Sequence, residues 1–316
     1  RPGQGATWPW KGVAAKSIHP GVARWYQPAT PDGTALELYR FDLKANPKIH
    51  LEMYDQDEDD AVPFDNKTDY FNHNAAWVAK HLEDRGKVIA VWNGMFHGYD
   101  RTPGGPPEGQ ATHIGPNVIR GKARYNFGSI RWAFGVKDRK FLVLNEPKIA
   151  EMQEKMTYGA IGAQCLILDG KPLELQSIRK STFPHEAGWI EGVDELRTSR
   201  TSMAWSRDHR YFYLLCVFEL DNEITSKRAY RDRISEGDGG WTVADLQKFW
   251  ISFGADFAVN SDGGMVAQLF HLQADGSYEF VPPKWVSDKR VKLGPTLEGA
   301  PKGGGTLMSW VIVEED

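Results

Sequence analysis

Only two cysteines occur in 316 residues, Cys165 and Cys216. That is too few for a disulfide framework, and neither has the CxxC or clustered-histidine spacing of a zinc site. Each lies in an apolar run, AQCLILDG or YFYLLCVFEL, and reads first as a buried thiol and second as half of a disulfide between neighbouring strands. An excess of charge is missing too. With 38 Lys and Arg against 42 Asp and Glu, the net charge is −4, so the broad basic surface that DNA or RNA requires is absent. No apolar run approaches the roughly 18 residues of a membrane span, and the mean hydropathy is −0.50. Nucleic acid and a membrane span are therefore not expected. G-x-S-x-G, the Walker sequence, G-x-G-x-x-G after a strand, and HExxH are all absent, which removes the serine-hydrolase, nucleotide, dehydrogenase and zinc-protease readings. No cofactor and no catalytic metal are expected. There is no initiator methionine and no apolar leader before Arg1-Pro2-Gly3-Gln4, as in a mature or trimmed chain. The sequon Asn66-Lys67-Thr68 carries weight only in a secretory context.

What the chain does have is aromatics and glycine: 12 Trp, 11 Tyr, 15 Phe and 32 Gly, the last well above the usual share of about 7 per cent. Residues 1–34 are rich in Gly, Pro and Trp without periodicity and read as an extended lead-in. Ala35 to Leu43 alternates as a half-buried strand does, and Ile49 to Tyr54 reads as its hairpin partner across Asn46-Pro47. Asp55 to Asp60 (DQDEDD) has the alternating carboxylates that begin a calcium loop. It has Asp60 where such a loop needs Gly and Asn66 where it needs a closing Glu, which favours a solvated acidic loop.

Two helix-then-strand units stand out. The first is a helix from Asn74 to Arg85 with Asn74 as N-cap, Trp77, Val78 and Leu82 on its buried stripe and Gly86 as left-handed terminator, leading into the buried strand Val88 to Trp92 and then Asn93-Gly94. The second is a helix from Thr242 with a Thr242/Asp245 capping box, a stripe of Val243, Leu246, Phe249, Trp250 and Phe253, and Gly254 as stop. It leads into Phe257 to Asn260 and then Ser261-Asp262-Gly263-Gly264. If the two strands were parallel neighbours, Asn93 and Asp262 would share one rim. Between the units lies a strand-rich meander: Ile130 to Val136, Phe141 to Leu144, Cys165 to Leu168, Leu173 to Leu175, Met203 to Trp205 and Tyr211 to Phe218. The long Pro/Gly loop Thr102 to Asn117 is flanked by His97 and His113, and Leu307 to Val313 is the last strand. No repeat and no linker is visible. The expected fold is α+β, a single large domain with a mixed, mostly antiparallel sheet flanked by a few helices.

Among Asp-Gly pairs at 32, 169, 238, 262 and 275, all but Asp262 read as plain turns. Asp262 follows a helix and a buried strand and precedes a second Gly, where a ligand can approach the backbone. Arg200, in RTSRTS before a strand, offers a guanidinium fork flanked by hydroxyls that suits phosphate or carboxylate, although its spacing alone favours a surface arginine paired with an acidic residue.

These motifs, in their order, resemble the phosphodiester glycosidase family. The likeness runs from about Ile18 to Val313 and rests on His19 to Gly21, FDLKANPKIHL, Asn93 to Phe96, AIGAQCLILDGKPL, Arg200-Thr201 and GWTVADLQKFWISFGADFAVNSDGG. It implies a catalytic domain over 35–316 outside the cytoplasm, secreted or periplasmic. The implied reaction is hydrolysis at C1 of a sugar-1-phosphodiester or related glycan, releasing a sugar such as N-acetylglucosamine. Asp262 and Arg200 are the implied catalytic residues, and Glu219, at the end of the strand Tyr211 to Phe218, is the expected second carboxylate by its position. Asn93, Gly94, Phe96, His97, Thr201, Gly263 and Gly264 are the implied substrate contacts, with Trp92 as a further face for a sugar ring. A glycan-binding protein without turnover, or a glycosidase for a non-phosphorylated glycan, are the alternatives. The chain departs from the family pattern at Met95, in Met265-Val266-Ala267-Gln268 after the Asp-Gly-Gly, and in a basic insertion over 221–240.

Overall fold

The computed structural model describes residues 12–28, 34–69, 73–99, 110–126, 132–175, 197–219, 239–284, 286–287 and 289–316. Along the chain the strands are β1 (Lys16–His19), β2 (Val22–Gln27), β3 (Ala35–Asp42), β4 (Ile49–Asp55), β5 (Thr68–Asp69), β6 (Lys87–Asn93), β7 (Gly98–Tyr99) and β8 (Gln110–Thr112). They continue as β9 (Asn117–Ile119), β10 (Lys122–Arg124), β11 (Trp132–Lys137), β12 (Lys140–Asn145), β13 (Tyr158–Leu168) and β14 (Lys171–Pro172). The remainder are β15 (Arg200–Trp205), β16 (Tyr211–Phe218), β17 (Phe257–Gly263), β18 (Leu269–Leu272), β19 (Tyr278–Val281), β20 (Val291–Leu293) and β21 (Met308–Glu314). Among the described residues the α-helices are α1 (Ala75–His81), α2 (Ile149–Lys155) and α3 (Val243–Phe253). The fold is thus α+β but strongly dominated by sheet. The expectation of a mixed sheet is corrected, since every described ladder is antiparallel.

The contacts divide the chain into two compact units, Arg1–Pro47 with Gln164–Gly264, and Lys48–Ala163 with Met265–Asp316. In the first, β1, β2, β3, β16, β15 and β17 follow one another in the sheet, and the second half of β13 pairs with β17. Strand β16 is buried along its whole length, which is why YFYLLCVF is continuously apolar rather than alternating. Its residues Tyr211, Tyr213, Leu215 and Val217 pack with Leu36, Leu38, Leu246, Phe249, Trp250 and Phe253 in one core. Helix α3 starts with the expected capping box, both arms present, and stops at Gly254 in the left-handed region (φ 78°, ψ 34°). Three residues of this helix therefore match their sequence signals in full: Thr242, Asp245 and Gly254.

In the second unit, β20, β19, β18, β6, β21 and β4 form one sheet, and β5, β8 and β7 a small one. The first half of β13 pairs with β11 and β9. Helix α1 packs Ala75, Ala76, Val78 and Ala79 with Val88, Val91, Phe270 and Val311. Its N-cap is Asn74, whose side chain accepts from the Trp77 N–H at 2.9 Å and donates to the carbonyls of Pro301 and Gly303 at 2.8 Å each.

Several expectations change. Residues 16–27, assigned to an extended lead-in, form the β1–β2 hairpin, which pairs with β3 and lies inside the first unit. Strands β3 and β4 are not hairpin partners: β3 lies between β2 and β16, and β4 pairs with β21, because the chain leaves the first unit at Pro47. Gly86 ends no left-handed cap (φ 134°, ψ −170°); a Cβ there would sit 2.4 Å from the Glu314 carbonyl oxygen, so packing selects glycine. Trp77 is 36% exposed and belongs to the rim of the core. Helix α2 had no counterpart in the sequence reading, because Lys148 gives it no side-chain cap. Both cysteines are buried free thiols, and burial pushes the Cys165 thiol up to about 12. Much of the loop 102–117 and most of the basic insertion 221–240 fall outside the described residues.

Candidate active site

In the first unit the antiparallel order places the start of β15 and the ends of β16 and β17 together. Arg200 pairs with Val217 on one side and with Gly263 on the other. Asp262, Gly263 and Gly264, Arg200 and Thr201, and Glu219 just past β16 are therefore brought to one end of one sheet. Residues far apart in sequence become a cluster through register alone.

The local bonds fix this end in detail. Thr201 Oγ1 lies 2.6 Å from Ser261 Oγ and donates to the Asp262 carbonyl at 2.8 Å. The Asp262 carboxylate accepts from the Gly263 N–H at 2.7 Å, and the Gly264 N–H donates to the Ser199 carbonyl at 2.8 Å. Ser199 Oγ accepts from the Glu219 N–H at 3.2 Å. A Cβ on Gly263 would meet the Ser199 carbonyl oxygen at 2.6 Å, so the room that glycine provides here is filled by the protein's own backbone. Ser199 and Ser261 were missed by sequence reasoning; only their adjacency to Arg200 and Asp262 marked them.

Arg200 is 2% exposed, which corrects the surface reading. Its Nε donates to the Trp241 carbonyl at 3.0 Å. Trp241 in turn bridges to Thr198 through a backbone pair, so the residue before the N-cap of α3 anchors the guanidinium. Glu219 is 3% exposed, whereas Asp262 is only half-buried. The cluster therefore combines a buried arginine, a buried glutamate and a half-buried aspartate, groups that can bind an anion and transfer protons.

In the second unit, Asn93 ends β6 and is fully buried. Its Oδ1 accepts from the Gln268 N–H at 3.3 Å. The Gly94 N–H donates to the Met308 carbonyl at 2.7 Å, and a Cβ at Gly94 would lie 2.6 Å from Met308 Cβ. Phe96, half-buried, is held by its N–H on the Gly162 carbonyl at 3.4 Å. Burial, with the neighbouring charge of His113, brings the His97 imidazole down to about 4 and keeps it neutral at ordinary pH. Trp92 is fully buried, so it offers no face to a sugar. The expected parallel pairing of β6 and β17 is also corrected: β6 lies between β18 and β21, and β17 between β15 and β13.

The DQDEDD segment is not a solvated loop. Asp55 and Asp57 are fully buried, while Glu58 and Asp60 are half-buried and Asp59 is exposed, against Tyr54 and His81.

No family model and no curated protein matches this sequence. The fold has known relatives. The zebrafish N-acetylglucosamine-1-phosphodiester alpha-N-acetylglucosaminidase catalytic domain, solved auto-inhibited by its pro-peptide, aligns at a TM-score of 0.59 and 14% identity, covering 96% of this chain and 88% of that one. A hypothetical protein from Synechocystis aligns at 0.52 and 11%, covering 96% of this chain and 64% of that one. A Burkholderia pseudomallei protein classed as exported aligns at 0.51 and 11%, covering 89% and 74%. At these identities the likeness establishes a distant relationship of fold.

Proposed function

We propose that the chain is an extracytoplasmic glycosidase that hydrolyses the bond from a sugar C1 to a phosphodiester oxygen, or a related glycan glycoside, releasing free sugar. The observation that carries this reading is the single sheet end where the buried Arg200, the half-buried Asp262 and Glu219 come together. Cleavage through an oxocarbenium-like transition state needs a carboxylate at the anomeric centre and help for the departing oxygen. A phosphate monoester leaves readily because its second pKa is about 6, so cationic neutralisation by Arg200 replaces much of a strong general acid. Asp262 stabilises or attacks C1, or orients the water whose oxygen ends on C1. Glu219 is the second carboxylate, and Thr201 with Ser261 holds the Asp262 backbone in place. Sugar contact by Asn93, Phe96 and His97 is a separate claim that rests on the sequence resemblance. The zebrafish relative supports the reaction class, and the exported relative supports the location. No described helix is long and apolar enough to cross a membrane.

The deciding experiment is product analysis on a panel of sugar-1-phosphodiesters and glycans with the wild-type chain and Asp262→Asn. Release of reducing sugar is expected from the former, with a loss of about 10²- to 10⁴-fold in the variant at unchanged melting temperature. Undiminished release by the variant removes Asp262 from the mechanism. Calorimetric binding of an intact glycan without any product over long incubation converts the reading to a glycan-binding scaffold.

A further inference from the structure

The second unit contains a buried carboxylate cluster. Asp55 and Asp57 are 0% exposed, Asn117 1% and His113 5%. Asp55 is well held: it accepts from Asn117 Nδ2 at 2.7 Å, from His113 Nε2 at 3.1 Å and from the Asp57 N–H at 3.1 Å. Asp57 is held on one side only. Its Oδ2 accepts from the Asn66 N–H at 2.9 Å and from the Tyr125 hydroxyl, while its buried Oδ1 has no hydrogen-bond partner. The buried Oδ1 of Asn117 has none either. The Tyr125 hydroxyl also reaches Asp55 Oδ2 at 3.5 Å, so one phenol touches both carboxylates.

Charge is unbalanced here. Among the described residues, His113 is the basic group that bonds a carboxylate of the pair, at Asp55. Arg120 is paired with Glu58, and the Arg124 guanidinium lies 3.7 Å over the Phe64 ring. Two carboxylates removed from water, with one imidazole bonded to Asp55 and none to Asp57, are costly unless further positive charge or a proton joins them.

We propose that Asp55, Asp57 and Asn117 bind a hard divalent cation of the calcium type. The donors are carboxylate and carboxamide oxygens, which suit such an ion better than a soft one. It is not the consecutive loop that the alternating carboxylates of DQDEDD suggest, because Asp59 is turned to Tyr54 and His81. The third donor comes from the start of β9, and the return of the chain at Asn66, with positive φ, closes the loop on Asp57. The ion would tie residues 55–66 to β9.

The test is a calcium titration of the full chain, first stripped with EDTA, by calorimetry and thermal melting. One site per chain and a calcium-dependent rise in melting temperature are expected, with the Kd raised at least tenfold in Asp57→Asn and in Asn117→Ala. Terbium provides a readout on the wild type that does not depend on any variant folding: luminescence sensitised through Tyr125, displaced by calcium. No heat, no shift and no sensitised luminescence at millimolar cation overturns the proposal. So does an Asp57→Asn chain that is as stable as the wild type and equally indifferent to calcium, the result expected if the two carboxylates share a proton instead.

Discussion

The two helix-then-strand units, α1–β6 and α3–β17, are written in nearly the same local code and end in different chemistry. Each helix has a polar N-cap and delivers a buried strand whose last residues are polar and followed by glycine. At the end of β6, Asn93 is fully buried and bonded to the backbone of Gln268. At the end of β17, Asp262 keeps contact with solvent while Arg200 and Glu219 are buried beside it. A carboxamide carries no charge into the interior; an ionised carboxylate held there alone would be far costlier. Side-chain type alone did not decide which end stays open. The neighbours did: β6 is flanked by β18 and β21, and β17 ends next to the first residue of β15.

Substitution at the strand ends separates the two units most sharply. Asp262→Asn is expected to remove turnover as described above and leave stability intact. Asn93→Ala should instead cost about 1–3 kcal/mol of stability by leaving a buried N–H unpaired, seen in chemical denaturation. Equal loss of activity with no loss of stability in both variants would erase the distinction.

The glycines give the next contrast. Gly94→Ala and Gly263→Ala each force a Cβ to within 2.6 Å of a neighbour, and each should destabilise by about 1–3 kcal/mol. Only Gly263→Ala should also depress turnover strongly, because the atom displaced is the carbonyl of Ser199, next to Arg200; steady-state kinetics on the folded fraction reads this. A smaller difference is expected at the caps. Thr242→Ala should cost about 1 kcal/mol, and Asn74→Ala more, since Asn74 also holds two carbonyls of the 301–303 segment.

The smallest effect concerns pH. His97 is held at about 4 against an ordinary 6.5, so between those values the unfolded chain binds a proton that the folded chain refuses. Its contribution is therefore fully favourable above pH 6.5 and is lost as pH falls toward 4. His97→Gln should flatten the melting temperature over that window, and an unchanged slope would show that another group sets it.

Much of the local structure could be read from the residues. The Thr242/Asp245 box, the Gly254 stop, the Asn74 cap and the all-apolar β16 follow from short-range rules, because each depends on bonds within a turn or on continuous burial. Positions that depend on distant partners could not be read. Ala35–Asp42 and Ile49–Asp55 look like a hairpin by alternation, yet β3 pairs with β2 and β16, and β4 with β21, with β16 and β21 more than a hundred residues away. Trp92 looked available for a sugar and is core. DQDEDD looked solvated, and its burial rests on His113, Asn117 and Tyr125 arriving from later strands and turns.

The sequence by itself determined the helices α1 and α3 and the strands β3, β4, β6, β16 and β21, where α3 begins and ends, and which residues belong to the Asp262 and Arg200 motifs, since propensity, capping and period-2 patterning act over a few residues. Only the tertiary structure decided that Arg200, Asp262 and Glu219 meet, that the space beside Gly94 and Gly263 is filled by Met308 and Ser199, and that Asp55 and Asp57 are interior. Those outcomes depend on antiparallel register and long-range burial, which no local spacing encodes.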